Sequence, residues 1–157
     1  MGYDYQEQAK RDGFIRNTNT IFIVEDDESN GTLLSELLLR ETPYYTLLLQ
    51  DGLHVLQLTQ FIKPLLFVVD YYLPGMNGLE LCDQLYAREE LKDTPMIILS
   101  AAMDEHIEEI QRRGLIALRK PFDLDEFLMT IENVVAYAPQ RPDKLSELQY
   151  VQAILKE

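Results

Sequence analysis

Short apolar runs alternate with longer amphipathic segments along most of this 157-residue chain. Five runs are rich in Ile, Val, Leu and Phe, and acids, Pro or Gly bound most of them. Apolar runs without polar alternation are typical of strands that are buried on both faces of a sheet. We predict strands over residues 20–24, 46–49, 65–70, 96–99 and 115–118.

Between these runs, apolar residues recur three and four positions apart, which predicts amphipathic helices. The predicted helices span residues 28–40, 53–61, 78–91, 104–113 and 122–138, and the fourth is exposed and charged. The apolar stripe of the first consists of Leu33, Leu34, Leu37 and Leu38. The predicted core-facing residues of the last helix are Phe127, Leu128, Ile131 and Val135. Five strand–helix units predict an α/β fold, a parallel sheet with helices on both faces.

Two terminal segments fall outside this pattern. We therefore predict an N-terminal extension over residues 1–19, one domain over 20–138 and a C-terminal extension over 139–157. Residues 144–156 have apolar positions at roughly helical spacing. They form either a helix, packed on the domain or on a second copy of the chain, or a frayed tail, because so short a helix is marginal alone. The C-terminal extension is too short for a helix-turn-helix output module, so we expect a stand-alone domain or a piece of a longer protein.

The charge of the chain excludes some partners. The net charge is −13, and residues 20–138 carry 21 acidic against 8 basic residues. An acidic surface repels phosphate backbones, which argues against direct nucleic-acid binding, but it suits a divalent cation. No apolar stretch is long enough for a membrane span, and the N-terminus is too polar for a signal peptide. With Cys82 as its only cysteine, the chain fits a reducing cytoplasm.

Polar residues follow four of the predicted strands. These are the acids Glu25 and Asp26, the acid Asp70, the hydroxyl of Ser100 and the ammonium of Lys120. The carboxyl ends of parallel strands share one edge of the sheet, so these groups converge there. Taken singly, the first acids could cap a helix, Ser100 could be a turn residue and Lys120 a surface lysine. Asp70 is hardest to explain in that way, because it follows five apolar residues.

The combination suits phosphoryl transfer. Asp26 and Asp70 offer the hard oxygen ligands that Mg²⁺ prefers, with Glu25 acting through water or a hydrogen bond. A carboxylate such as Asp70 can then act as nucleophile on phosphorus. Lys120 would meet one phosphoryl oxygen and Ser100 a second, because this chemistry depends mainly on positioning and electrostatics.

Four motifs resemble those of receiver domains of two-component response regulators: IFIVEDD at 21–27, VVDYYLPGMNG at 68–78, IILSA at 97–101 and RKPF at 119–122. The resemblance covers about residues 20–138 and implies the flavodoxin-like, doubly wound fold with strand order 2-1-3-4-5. It implies that Asp70 is the phospho-acceptor and that Glu25 and Asp26 bind Mg²⁺, or Mn²⁺, together with Asp70 and the backbone carbonyl of Tyr72. It further implies that Ser100 is the switch hydroxyl, that Lys120 is the active-site lysine and that the Lys120–Pro121 peptide bond is cis.

The chain departs from the family before the fifth strand, where the usual Gly-Ala loop appears as Arg113-Gly114, and also at a position within that strand. The family often has Tyr or Phe three residues before the lysine, as an aromatic switch, and here that residue is Ala117. The positions that tune dephosphorylation are Tyr72 and Ala102, and a bulky Tyr72 predicts slow autodephosphorylation. Both histidines, His54 and His106, fall within predicted helices, away from strand ends, so we interpret them as exposed helix residues.

The resemblance implies a phosphoryl-accepting receiver rather than a turnover enzyme. Its partners would be a sensor histidine kinase or phosphotransfer protein and an unknown output protein, with a homodimer as a further alternative. Output would pass through the fourth helix, fifth strand and fifth helix, or the chain would be an intermediate in a relay. The alternatives are a receiver-like interaction module that is not phosphorylated and, less favoured, a phosphohydrolase. Phosphohydrolases of the haloacid-dehalogenase type place a second Asp where this chain has Tyr72.

Overall fold

The computed structural model describes residues 16–136 together with residues 152 and 155. The helix predicted over 144–156 and its alternatives therefore lie outside the described residues, apart from those two positions. The described residues form seven strands: β1 Arg16–Asn17, β2 Thr20–Val24, β3 Tyr45–Leu49, β4 Ile62–Lys63, β5 Leu66–Asp70, β6 Met96–Ser100 and β7 Ile116–Arg119. The five longer strands form one parallel sheet in the order β3-β2-β5-β6-β7. Counted over these five, the order is 2-1-3-4-5, as predicted.

Helices cover both faces of this sheet, which confirms the predicted architecture. They are α1 Glu28–Glu41, α2 Gly52–Leu58, α3 Gly78–Tyr86, α4 Met103–Arg112 and α5 Leu124–Val135. Alternate strand residues face opposite sides, so Phe22, Phe67 and Ile98 pack with α2, α3 and α4. On the other side, Ile23 and Val68 pack with α1 and α5. Both sides of the central strands are buried, which explains their continuous apolar sequences.

The first face also holds the chain's only cysteine. Cys82 on α3 is 1% exposed, and burial raises the pKa of its thiol to about 12. It is the small core residue that its place in the apolar stripe of α3 indicates. Within the described residues, no helix has both the length and the apolar composition that crossing a bilayer requires.

A small second sheet was not predicted. Strands β1 and β4 pair in parallel, Arg16 with Ile62 and Asn17 with Lys63. Thr18 continues this contact, because its backbone N–H and its hydroxyl both donate to the carbonyl of Lys63 at 3.0 Å. Residues 16–18 of the predicted N-terminal extension are thus joined to the segment that leads into β5.

Three further details differ from the sequence analysis. The helix predicted over 78–91 ends at Tyr86 and is followed by a separate 3₁₀ turn, Glu89–Leu91, because the backbone at Arg88 is extended, with ψ 127°. The helix predicted over 53–61 ends at Leu58, before β4. Leu33, predicted to face the core, is 53% exposed, because Leu34, Leu37 and Leu38 already fill the stripe that faces the sheet.

Candidate functional site

The predicted polar residues meet at the carboxyl edge of the sheet. Asp70 ends β5, Glu25 follows β2, Ser100 ends β6 and Lys120 follows β7. The Lys120 ammonium donates to Asp70 Oδ2 at 2.8 Å and lies 3.5 Å from Glu25 Oε2. Residues 95 positions apart in sequence are therefore in direct ionic contact. The Lys120–Pro121 peptide bond is cis, as expected.

Backbone hydrogen bonds fix the loop that follows Asp70. The N–H of Tyr71 donates to the Leu99 carbonyl at 2.9 Å, and the N–H of Gly78 donates to the Tyr71 carbonyl at 2.7 Å. Gly78 is needed for this approach, since a Cβ there would lie 2.9 Å from the Asp70 carbonyl. Asn77 then caps α3 by accepting from two backbone N–H groups at 2.9 Å. The Asp70 carboxyl is thus carried on backbone that is held from both sides.

Three acids form a cluster that suits a cation. Glu25, Asp26 and Asp70 each offer one oxygen, and these atoms lie within 4.8 Å of one another. Glu25 and Asp70 are buried, whereas Asp26 is exposed. The next acid, Asp27, has a different role, because its carboxylate caps α1 by accepting from the N–H of Asn30 at 2.9 Å. The capping alternative therefore applies to Asp27 and not to the three acids of the cluster.

The electrostatics of the cluster leave it short of positive charge. Glu25 Oε1 accepts from the backbone N–H of Asp27 at 3.1 Å, but its buried Oε2 has no hydrogen-bond partner among the described residues. Burial and the adjoining Asp70 carboxyl raise the pKa of Glu25 to about 7. Burial lowers the pKa of Lys120, but the Asp70 and Glu25 carboxylates outweigh this and hold it above its usual value. One ammonium contacts two carboxyl groups of a cluster of three, and a buried oxygen without a hydrogen bond among hard oxygen donors fits a divalent cation.

Ser100 is fully buried, and its hydroxyl is occupied. Ser100 Oγ accepts from the backbone N–H of Ala102 at 3.1 Å and lies 3.1 Å from His106 Nδ1, in hydrogen-bonding geometry. Its carbonyl accepts from the N–H of Lys120 at 2.9 Å, which ties the lysine backbone to β6.

The interpretation of His106 as an exposed histidine was wrong. Its ring is partly buried and stacks on the ring of Tyr71, with centroids 3.5 Å apart and an interplanar angle of 11°. Helix α4 begins at Met103, so position 106 lies one turn later and returns over the end of β6. Periodicity alone did not reveal this, because it does not fix how a helix starts relative to the preceding strand. His54 is exposed, as predicted.

The remaining predicted positions surround this contact. Tyr72 is 55% exposed and packs edge-on against Tyr71, with ring centroids 4.9 Å apart. Ala102 precedes α4 without a capping side chain. Ala117 on β7 packs against the core on the side of the sheet that α4 covers. The roles of the Tyr72 carbonyl as a ligand and of Tyr72 and Ala102 in tuning stay predictions.

Comparison with known proteins agrees with this geometry. Residues 21–132 match the model of the response regulator receiver domain family. The chain is 34% identical over 123 residues to the polar-differentiation response regulator DivK of Brucella ovis, covering 77% of this chain and 99% of DivK. It is also 28% identical over 155 residues to hybrid signal transduction histidine kinase D of Dictyostelium discoideum, of which it spans 10%.

Solved structures show the same fold. The non-phosphorylated HemR receiver domain of Leptospira biflexa superposes with a TM-score of 0.68 and is 30% identical, covering 79% of this chain and 98% of that one. The receiver domain of the sensor histidine kinase PA1611 of Pseudomonas aeruginosa, which holds a magnesium ion in its active-site cleft, gives a TM-score of 0.68 at 24% identity, over 74% and 97%. The chain therefore belongs to the response regulator receiver domain family, the receiver domains of two-component signalling systems.

Proposed function

We propose that Asp70 accepts a phosphoryl group from a phosphohistidine of a sensor kinase or phosphotransfer protein. The observation that carries this proposal is the Asp70 carboxyl, which is 10% exposed, in contact with the Lys120 ammonium and within the three-acid cluster. An acceptor must be reachable by a donor and also surrounded by groups that neutralise a phosphate, and Asp70 meets both requirements.

In the transfer, an Asp70 carboxylate oxygen attacks phosphorus in line with the nitrogen–phosphorus bond of the donor. The new oxygen–phosphorus bond forms as the nitrogen–phosphorus bond breaks. The electron pair of the broken bond stays on the donor imidazole, which takes a proton from solvent. Lys120 shifts from the carboxylate to a phosphoryl oxygen, and the Ser100 hydroxyl donates to a second. These steps rely on positioned charge rather than on acid–base chemistry.

Mg²⁺ would be held by Asp26 and Asp70, with Glu25 acting through water or a hydrogen bond and the Tyr72 carbonyl completing the protein ligands. The cation supplies the positive charge that neutralises the acids and the incoming phosphate. Mn²⁺ suits the same oxygen donors. The buried Glu25 Oε2, which lacks a hydrogen bond, and the clustering of the three acids within 4.8 Å support this assignment.

A groove beside the acceptor supports a protein donor. A cavity of about 430 Å³ opens next to the site, and most of the side chains that line it are apolar. It is lined by Glu25, Lys120, Leu33, Leu34, Phe122 and Leu124, among others. Leu33 and Leu124 are 53% and 39% exposed. A donor helix that buries its apolar face here would place its phosphohistidine over Asp70.

Phosphorylation of Asp70 would act by changing contacts with another protein in the cytoplasm. A surplus of carboxylates argues against direct contact with nucleic acid. Turnover of small phosphate esters is not proposed, because Tyr72 stands where a phosphohydrolase of this chemistry needs a second Asp. The bulky Tyr72 instead supports slow hydrolysis of the acyl phosphate, by limiting in-line access of water.

The deciding experiment is intact-mass spectrometry after incubation with Mg²⁺ and acetyl phosphate. We expect one added phosphoryl group in the wild type, none without Mg²⁺ and none in Asp70→Asn. Asp93→Asn is the matched control, since Asp93 is an exposed aspartate outside the site, and it should label like the wild type. A wild type that stays unlabelled by acetyl phosphate and by a purified phosphohistidine donor would refute the proposal in favour of an unphosphorylated interaction module.

A further inference from the structure

His106 links the two strand ends that flank the acceptor site. Its Nδ1 lies 3.1 Å from the Ser100 hydroxyl at the end of β6, and its ring stacks on Tyr71, the residue after Asp70 on β5. Tyr72 adds an edge contact, with centroids 5.7 Å apart. One side chain of α4 therefore contacts the switch hydroxyl and the loop that carries the acceptor.

The His106 contacts matter for the position of α4, because this helix has fewer other attachments than its neighbours. Helices α1, α2, α3 and α5 are each capped by an Asp or Asn side chain, whereas Ala102 gives α4 no such bond. Only Met103 and Ile110 of α4 are buried. In the first two turns, Met103 and Ile107 also pack against the core, and Asp104 forms an exposed ion pair with Arg119 at 2.6 Å. The His106 contacts are therefore one of a small number of side-chain contacts that hold this end of the helix.

The hydroxyl of Ser100 cannot serve two acceptors at once. It has one proton to donate, and its oxygen already accepts from the Ala102 N–H. When His106 Nδ1 accepts that proton, a phosphoryl oxygen on Asp70 can receive it only if the Ser100–His106 hydrogen bond breaks. With Nδ1 as the acceptor, arrival of the phosphoryl group exchanges one partner of Ser100 for another.

We propose that His106 is the positioning residue of the switch: it holds the Ser100 hydroxyl before phosphorylation, and its release on phosphorylation frees the first turns of α4. This inference rests on the proposed function of Asp70. It assigns to the Tyr71–His106 pair the coupling that Ala117, with only a methyl group, cannot provide. Within residues 16–136, this pair is the aromatic contact attached to Ser100.

The test follows the histidine side chains by nitrogen NMR while Mg²⁺ and beryllofluoride, which imitates a phosphoryl group on a carboxylate, are added to the full chain. The chain has two histidines, so exposed His54 is an internal reference in the same spectrum. We expect the ring signals of His106 to shift and those of His54 to stay unchanged. Fluorine NMR reports beryllofluoride binding independently.

A variant sharpens the test. His106→Phe keeps a ring for stacking on Tyr71 but removes the bond to Ser100, and His54→Phe is the matched control. Beryllofluoride should bind all three proteins. The amide shifts that it induces in α4 should be several-fold smaller in His106→Phe than in the wild type and unchanged in His54→Phe.

Failure of the proposed function and failure of the His106 inference give different results. A wild type that does not bind beryllofluoride overturns the proposed function and this inference together. Bound beryllofluoride with unmoved His106 signals overturns the inference alone, and so does a His106→Phe protein with the full α4 response. The wild-type measurement requires no substitution, so the conclusion stands even where the variant does not fold.

Discussion

Helices α4 and α5 flank the same strand, β7, but they are held in different ways. Asp123 caps α5 by accepting from the N–H of Glu126 at 2.6 Å, and Phe127, Ile131 and Val135 are buried beneath it. Helix α4 has no side-chain cap and buries two residues. Helices with few buried apolar contacts open locally at lower free energy than those anchored in the core. The helix nearest the Ser100 hydroxyl is thus the one that can move at small cost, whereas Phe127 of α5 stacks on Phe122, two residues after Lys120.

The largest expected effect contrasts the buried side chains of the two helices. Phe127→Ala should lower the free energy of unfolding by about 3–5 kcal/mol, and Met103→Ala by about 2 kcal/mol, because the larger side chain leaves the larger cavity. Urea unfolding gives both values. Met129→Ala, at a position that is 62% exposed on α5, is the control and should change little. Equal losses for Phe127→Ala and Met103→Ala would break the comparison between the helices.

The next prediction concerns Lys120, whose backbone is bonded to Ser100 and whose ammonium is bonded to Asp70. Lys120→Met should slow phosphorylation of Asp70 by acetyl phosphate about 100-fold, the effect of removing one positioned donor from a developing charge. The rate of adduct formation by mass spectrometry measures it. Lys92→Met removes an exposed lysine that pairs with Glu89 and should leave the rate unchanged. A similar slowing in both variants would indicate a loss of bulk charge rather than of a specific contact.

A third prediction follows from the raised pKa of Glu25, about 7 in the folded protein against an ordinary value of 4.5. The folded state binds this proton more tightly than the unfolded state, so Glu25 makes metal-free stability fall as the pH rises from about 4.5 to about 7. The slope from this one group is at most about 1.4 kcal/mol per pH unit.

Glu25→Gln removes this titrating group. Its unfolding free energy should therefore gain on that of the wild type across the same interval, as measured by urea unfolding at several pH values without Mg²⁺. Glu36→Gln, at an exposed position of α1, is the control. A constant difference between Glu25→Gln and the wild type would show that folding does not raise the pKa of Glu25.

The smallest effect concerns the caps themselves. Asp123→Ala should cost about 1 kcal/mol, the usual value of an N-cap. Ala102→Ser should gain less than about 0.5 kcal/mol, because the backbone at Ala102, with φ −108° and ψ 49°, lacks the extended conformation of a good cap. Hydrogen exchange of the helix amides checks both. Faster exchange in α5 than in α4 of the wild type would contradict the ranking of the helices.

Much of the fold and the site could be predicted because the same residues determine both. An apolar run that ends in Asp70, or leads directly into Glu25, predicts a buried strand. The acid marks the carboxyl end of that strand and therefore the edge of the sheet where the site lies. The β1–β4 pair could not be predicted, since strands of two residues have no hydrophobic period. The contact of His106 with Ser100 depends on the angle at which α4 leaves β6, which tertiary packing sets. The exposure of Leu33 likewise depends on which of two adjacent leucines the sheet accommodates.

The single buried thiol has a practical consequence. Cys82 lies on the buried face of α3, is 1% exposed and has a pKa of about 12, so at neutral pH it reacts with an alkylating reagent only when that helix opens. Alkylation kinetics on the unaltered chain therefore count the openings of α3 with no competing thiol. A second cysteine introduced on α4 would react at its own rate, so one mass spectrum could time the motions of both helices.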